Sequence, residues 1–329
     1  MTLPLTVIGG YLGAGKTTLL NRILTGDHGR RFGVIVNDFG AVNVDASLIA
    51  NHDGDTISLT NGCICCSATD GTAEAIARIV KRSAEFDHII IEASGVAEPG
   101  KVARNAAGFR LPLDGVIVLA DAEQLPDQAA NRYAGRSVMA QLRQADVIVL
   151  NKVDLPSPAR LAETRSLIAR HAPDVPVLET EQAQLPYALL FGVGRGAAVA
   201  AFTAGSEAGH DHAAEYVAEL IERGPISRAA FEELAREQMG LAIRAKGHVA
   251  LSDAPEVRHL YQKVGRRWTL VADGGWGDEP PRTRIVTIRI REDQPIQRNA
   301  AQSTLRPSSV PFASAVDQGH AGLSKQLDY

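Results

Sequence analysis

Short apolar runs alternate with longer stretches of helical spacing through the first 178 residues. The apolar runs are rich in Val, Ile and Leu and cover residues 3–8, 33–36, 56–59, 88–91, 115–119, 146–150 and 175–178. Helical spacing recurs between them, over residues 16–24, 73–83, 138–144 and 158–171. Nearly continuous apolar strands are typical of a sheet that helices cover on both faces. The pattern predicts a doubly wound, mostly parallel α/β sheet for residues 1–190.

A second, smaller domain is predicted for residues 224–291. Ser227 is a candidate N-cap for a stretch of helical spacing that ends near residue 239. Strand-like runs cover residues 242–251, 268–272 and 285–290, so we expect a small α+β domain. The Gly- and Ala-rich residues 191–223 predict a linker or mobile loop. Residues 292–329 predict a disordered tail, because they contain too little apolar surface to offset the entropy of ordering.

Composition argues against several classes of function. Lys and Arg number 34 against 38 Asp and Glu, so the 329-residue chain has a formal net charge of −4. Nucleic acids and anionic membranes attract clustered positive charge, so we expect neither as a partner. No apolar run approaches the roughly 20 residues that cross a bilayer, and the first ten residues lack the features of a secretory signal. We expect a cytoplasmic protein.

A phosphate-loop motif follows the first predicted strand. The octapeptide GYLGAGKT, residues 10–17, fits G-x-x-x-x-G-K-[ST] and precedes a predicted helix. Its backbone N–H groups and the positive end of the helix suit a polyphosphate. We expect Lys16 to reach the β- and γ-phosphates of a nucleoside triphosphate and Thr17 to bind Mg²⁺. The predicted nucleotide contacts here are Gly10, Gly13, Ala14, Gly15, Lys16, Thr17 and Thr18.

The sequence Asn151-Lys152-Val153-Asp154 indicates the base of that nucleotide. It follows the strand predicted at residues 146–150, and ligands of open α/β sheets bind at the carboxyl ends of strands. The Asp154 carboxylate can accept hydrogen bonds from N1–H and the exocyclic amine of guanine, whereas adenine has a lone pair at the equivalent nitrogen. We therefore expect GTP, with Asn151, Lys152 and Asp154 at the guanine.

Two acidic residues after other strands are candidates for the chemistry. Glu92 ends the strand predicted at residues 88–91 and is expected to hold Mg²⁺, while the N–H of Gly95 is expected to detect the γ-phosphate. Asp38 lies in Asn37-Asp38-Phe39-Gly40, which either positions metal or water or forms a simple turn. The candidate catalytic residues are Lys16, Thr17, Asp38, Glu92 and Gly95.

The three cysteines of the chain, Cys63, Cys65 and Cys66, lie within four consecutive positions, which excludes a disulfide framework. Thiolates are soft ligands for Zn²⁺ and related ions, and three thiols without a second pair suit a metal that is passed on. Two alternatives remain open, namely cysteines that act as small apolar residues and a redox pair. His210 and His212 either form an auxiliary metal site or are simply solvated.

The location of this cysteine cluster follows from the strand predicted before it. Residues 56–59 are expected to end at the nucleotide edge of the sheet, so the cluster is expected between Asp38 and Glu92. A metal site there would share a wall with the triphosphate site. Metal affinity and nucleotide state would then be thermodynamically coupled.

Together the motifs resemble those of the CobW-type GTPases, relatives of the GTPases that insert nickel into urease and hydrogenase. The resemblance rests on the order of the phosphate loop, residues 37–40, residues 62–66, residues 92–95 with Pro99, and residues 151–154. It is close over residues 4–180. It is looser over residues 224–291, where Arg244-Ala245-Lys246-Gly247 is similar to the family's C-terminal domain.

This resemblance implies a P-loop GTPase fold, hydrolysis of GTP with Mg²⁺, and binding of Zn²⁺ or Co²⁺ by the three cysteines. It also implies a client metalloprotein or pathway, in zinc homeostasis, cobalamin synthesis or metalloenzyme maturation, and is compatible with a homo-oligomer. Asp38 departs from the Glu that the family usually has, so its carboxylate is one methylene shorter. No Gln or Arg stands out to position water or stabilise transferred charge, so we expect slow intrinsic turnover.

Two further functions stay open on the sequence. One is a P-loop ATPase or kinase with structural cysteines, which would not need Asp154 for base selection. The other is a zinc-sensing or storage protein with a regulatory nucleotide site, which would bind metal equally well with and without GTP.

Overall fold

The computed structural model describes residues 3–26, 29–36, 49–53, 56–59, 64–67, 72–192, 216–237 and 239–290. For residues 49–53, 56–59 and 64–67 it describes the strands and their pairing alone. Across all these ranges, no helix combines the length and the apolar character that crossing a membrane requires.

The larger sheet contains the phosphate loop. Its strands are β1 (Leu5–Gly10), β2 (Phe32–Val36), β3 (Ile49–Asp53), β4 (Thr56–Leu59), β5 (Ile64–Ser67), β6 (His88–Glu92), β7 (Leu113–Asp121), β8 (Val147–Asn151) and β9 (Val177–Thr180). Within the described residues they are ordered β3-β4-β5-β2-β6-β1-β7-β8-β9. Neighbours from β5 to β9 pair in parallel, which confirms the predicted fold class.

Helices cover both faces of this sheet. They are α1 (Lys16–Thr25), α2 (Thr72–Lys81), α3 (Pro99–Ala107), α4 (Leu125–Ala130), α5 (Gly135–Gln144), α6 (Pro158–His171) and α7 (Tyr187–Phe191). Successive residues of a central strand enter opposite cores, because side chains alternate along a strand. Val7 belongs to the core that contains residues of α2, α3, α5 and α6, whereas its neighbour Ile8 belongs to the core that contains residues of α1 and α7. This double burial explains the nearly continuous apolar runs.

The direction predicted for the strand at residues 56–59 is wrong. This strand, β4, pairs antiparallel with β5, so it ends at the edge opposite to the carboxyl ends of the parallel strands. The chain then returns in β5, which pairs in parallel with β2. Residues 60–63 are too few for the dozen or more residues that a parallel crossover needs, so an antiparallel pair is the result. A four-residue apolar run carries no information about strand direction.

A second sheet follows in residues 216–290. Its strands are β10 (Tyr216–Arg223), β11 (Arg244–Ala250), β12 (Val257–Val264), β13 (Arg267–Gly275) and β14 (Thr283–Ile290), in the antiparallel order β10-β14-β11-β12-β13. Helix α8 (Arg228–Glu237) covers one face, with Phe231 packed edge-on to Tyr261. The predicted cap is confirmed, since the Ser227 hydroxyl accepts from the N–H of Ala230 at 3.2 Å.

The predicted linker 191–223 is wrong over its last eight residues, which form β10 and pair with β14 along their whole length. The linker prediction rested on the Gly- and Ala-rich stretch before this strand and was extended too far. Residues 193–215, with His210 and His212, lie outside the described residues. Residues 292–329 lie outside them as well, so the predicted tail stays a prediction.

Two ion pairs, one buried and one partly buried, join the second sheet to the amino ends of β7 and β8. The Arg244 guanidinium donates to Asp114 Oδ2 at 2.8 Å and to the carbonyls of Leu189 and Leu190. Burial by itself raises the pKa of Asp114, but the charge and the hydrogen bond of Arg244, together with the neighbouring His88 and Lys246, hold that pKa below its usual value. Arg267 Nη2 donates to Asp146 Oδ2 at 2.6 Å. This contact lies at the sheet edge opposite the phosphate loop.

Candidate nucleotide site and the cysteine strand

The phosphate loop connects β1 to α1 through glycines in the left-handed region. The φ angles are 137° at Gly10, 78° at Gly13 and 104° at Gly15. A Cβ atom would lie 2.5 Å from the Leu119 carbonyl oxygen at Gly10 and 2.3 Å from Asn151 Nδ2 at Gly15. Both positions therefore require glycine for space as well as for conformation. A Cβ on Gly13 would meet no atom within 4 Å, so the space beside this exposed residue is open.

The first three residues of α1 range from buried to exposed. Lys16 is 8% exposed, and its ammonium lies 3.4 Å from the Tyr11 carbonyl oxygen of the same loop. Thr17 is half-buried and Thr18 is exposed. The first turn of α1 contains no acidic residue, so the N–H groups and Lys16 make this end of the helix positive.

Asn151 ties the phosphate loop to a segment that the sequence analysis missed. Its Nδ2 donates to the Ala14 carbonyl at 3.0 Å, and its Oδ1 accepts from the N–H of Ala183 at 2.7 Å. Ala183 follows β9 and has a φ of 57°. Both ends of the buried amide are engaged with backbone, so this side chain holds two loops together. The one available signal was the proximity of the carboxyl ends of β8 and β9 in the predicted sheet.

Lys152 and Asp154 lie on the turn that follows β8. Lys152 has a φ of 63°, and its ammonium is 2.7 Å from Asp121 Oδ2 at the end of β7. Asp121 is almost fully buried, and its Oδ1 accepts from the N–H groups of Glu123 and Gln124, each at 3.0 Å. Asp154 is exposed. Asp121 is thus a positioning residue that the sequence analysis did not identify.

Glu92 and Gly95 lie beside the phosphate loop. Glu92 ends β6 and is 5% exposed, with Ile8 of β1 and Val36 of β2 at the same level of the sheet. Gly95 lies in the Gly95 loop, residues 93–98, between β6 and α3. A Cβ on Gly95 would lie 2.6 Å from Leu12 Cδ2, so this loop packs directly on the phosphate loop.

The cysteine strand is β5, which contains two of the three cysteines. Cys65 and Cys66 belong to β5, where they pair with Val34 and Ile35 of β2. The expected position between Asp38 and Glu92 is wrong, because β2, the strand before Asp38, lies between β5 and β6. Cys63 and Asp38 are outside the described residues. Within the described residues, no group of three or more His, Cys, Asp and Glu side chains is arranged for a metal ion.

Comparison with known proteins agrees with this arrangement. Residues 4–179 match the family described as CobW/HypB/UreG, nucleotide-binding domain, and residues 219–306 match the cobalamin synthesis protein CobW C-terminal domain. The chain is 32% identical to the zinc chaperone YjiA of Escherichia coli, over 88% of this chain and 94% of that protein. It is 32% identical to the zinc chaperone CobW of a Sinorhizobium species, over 88% and 93% of the two chains.

A crystal structure of Zn(II)-bound YjiA GTPase from Escherichia coli is 30% identical over 88% of this chain and 95% of that one, with a TM-score of 0.48. The family was expected from the motifs, and the sequence comparisons confirm it. With a match over more than half its length and relatives that cover 88% of it, this chain belongs to the CobW/HypB/UreG family of nucleotide-binding GTPases.

Proposed function

We propose that this protein is a metallochaperone that hydrolyses GTP and delivers Zn²⁺ to a client metalloprotein. One observation carries the proposal: the phosphate loop and the cysteine strand belong to one run of parallel strands, β5-β2-β6-β1, whose carboxyl ends share an edge. The names of the relatives, zinc chaperone in both cases, support zinc as the cargo. Co²⁺ is the second candidate, because thiolates accept several divalent ions.

Each nucleotide contact has a role that its position supports. Lys16 and the loop amides bind the β- and γ-phosphates, Asp154 selects guanine, and Asn151 keeps the loop in place. The Gly95 N–H detects the γ-phosphate. Thr17 and Glu92 are the residues that would hold Mg²⁺, which when bound neutralises charge on the phosphates. The open space beside Gly13 and the absence of acidic residues from the first turn of α1 are compatible with this anionic ligand.

The metal cargo would bind at Cys63, Cys65 and Cys66, with Asp38 as a neighbouring carboxylate. Three strand spacings of about 4.8 Å separate β5 from β1, a distance of about 14 Å. The two strands are therefore not neighbours in the sheet. Coupling between the two sites passes through the segments after β2 and β6, which contain Asp38 and the Gly95 loop. Ser67, Val36, Glu92 and Ile8 lie at one level across these four strands.

Nucleotide preference and metal binding test the proposal in one protein preparation. We expect binding and slow hydrolysis of GTP but not ATP, and we expect Zn²⁺ binding that is lost in Cys65→Ser. Ser67→Ala, two residues along the same strand, is the matched control and should bind Zn²⁺ as the wild type does. Equal affinity for ATP would favour the ATPase or kinase alternative. Unchanged Zn²⁺ binding in Cys65→Ser would exclude the cysteine site.

A further inference from the structure

The Gly95 loop is held by side chains from a neighbouring helix. Ser137 and Gln141 are four residues apart in α5 and lie on the same side of it. Gln141 Nε2 donates to the carbonyls of Gly95 and Ala97, at 2.9 and 3.1 Å. The Ser137 hydroxyl donates to the Val96 carbonyl at 3.4 Å. Three consecutive carbonyls of the loop are therefore bound to one helix.

Gln144 lies three residues after Gln141 on the same helix and extends this contact to the start of α3. Its Oε1 accepts from the N–H of Gly100 at 2.9 Å, and its Nε2 donates to Glu98 Oε2 at 3.2 Å. The whole connection from Gly95 to Gly100 thus follows α5. On its other side the loop packs on Leu12 of the phosphate loop.

Gln141 has a second feature that a purely structural amide would not need. The residue is 1% exposed, and its Oε1 is buried without a hydrogen-bond donor in the part of the chain that the structure describes. Exchange of the amide N and O would set an acceptor against two carbonyls, so the orientation is determined. A buried acceptor without a donor is destabilising, unless another arrangement of the loop supplies one.

The bonded residue also matters, because glycine changes its backbone conformation at low cost. The peptide unit is planar, so a bond to the Gly95 carbonyl fixes the whole unit that joins Gly95 to Val96. Gln141 therefore restrains the one residue of the loop that would otherwise turn most easily, at the point where the loop touches the phosphate loop.

We infer that Gln141 is a positioning residue for γ-phosphate detection. Its amide holds the Gly95 loop beside the phosphate loop through the carbonyls, and its Oε1 accepts an N–H of the loop when the γ-phosphate draws the loop to a second position. This inference rests on the proposed function, because it assumes that Gly95 detects the γ-phosphate. Helix α5 thereby takes part in the discrimination of GTP from GDP.

The test compares the affinities of Gln141→Leu for GDP and for a non-hydrolysable GTP analogue. We expect the GDP dissociation constant to change by less than about twofold, while that of the analogue and the kcat for GTP each worsen about tenfold. Arg143→Ala, an exposed position on the same helix, is the matched control. If Gln141→Leu does not fold, Gln141→Asn keeps a polar amide but shortens its reach by one methylene, and it is expected to show the same selective loss.

Equal losses for both nucleotides, or no loss for either, would overturn this role of Gln141. Such a result would leave the proposed function intact if the wild-type protein binds and hydrolyses GTP. A wild-type protein that did not bind GTP would contradict the proposed function itself, so the two failures are distinguishable.

Discussion

Polar side chains bind different partners at the amino ends and at the carboxyl ends of the parallel strands, which we call the amino edge and the carboxyl edge of the sheet. At the amino edge, charges pair with each other across two sheets, as in the buried pair of Asp114 with Arg244 and the partly buried pair of Asp146 with Arg267. At the carboxyl edge, Asn151 and Gln141 bind loop backbone, and the ion pair of Lys152 with Asp121 lies within the larger sheet alone. The charge pairs at the amino edge hold the two sheets together. The amide contacts at the carboxyl edge position loops around the candidate nucleotide site. Stability and ligand binding should therefore respond separately to substitutions at the two edges.

The largest effect is expected at the amino edge. Arg244→Met removes the partner of buried Asp114 and should lower the free energy of unfolding by ~3–5 kcal/mol. The reason is that an uncompensated carboxylate remains inside the interface. Denaturant unfolding measures this, with exposed Arg266→Ala as the control. The double variant Arg244→Met/Asp114→Asn should recover part of the loss, and no recovery would show that the charge pair is not the cause.

A substitution at the carboxyl edge should show the opposite profile. Lys16→Met is expected to weaken nucleotide binding about 100-fold by loss of phosphate charge compensation, while stability changes by less than about 1 kcal/mol. Calorimetric titration and denaturant unfolding of the same sample measure both quantities. Lys81→Met, an exposed position at the end of α2, serves as the control. A large loss of stability with unchanged binding would contradict the difference between the edges.

The smallest effect concerns pH at the amino edge. His88 is fully buried, and burial lowers its pKa from 6.5 to about 3, although nearby Asp114 acts in the opposite direction. Its neutral ring lies 2.8 Å from the Thr6 hydroxyl. The unfolded chain binds this proton more readily, so stability is full above about pH 6.5 and falls as pH decreases toward 3. Between about pH 6 and pH 5 we expect a loss of ~1 kcal/mol that His88→Gln does not show. An equal slope in both proteins would exclude His88 as its source.

Local conformational constraints explain which parts of the site were predictable. Gly10, Gly13 and Gly15 take left-handed conformations that few other residues adopt, so the phosphate loop follows from its own pattern. The double burial of β1 and β6 likewise predicts parallel strands. These features depend on residues within one segment.

Contacts between distant segments were not predictable from those patterns. Gln141 lies 46 positions from Gly95, and Asn151 lies 137 positions from Ala14. The order β5-β2-β6 decides that the cysteine strand is outside the strand before Asp38, and that order depends on the direction of β4. A four-residue strand carries neither kind of information.

The most direct measurement of the central claim is the affinity for Zn²⁺ in the GDP form and in the form with a non-hydrolysable GTP analogue, with Cys65→Ser as the control. We expect the two affinities to differ about tenfold, and the analogue to show the same factor when its binding is measured with and without Zn²⁺. Equal Zn²⁺ affinities in both forms would show that the cysteine strand and the phosphate loop act independently.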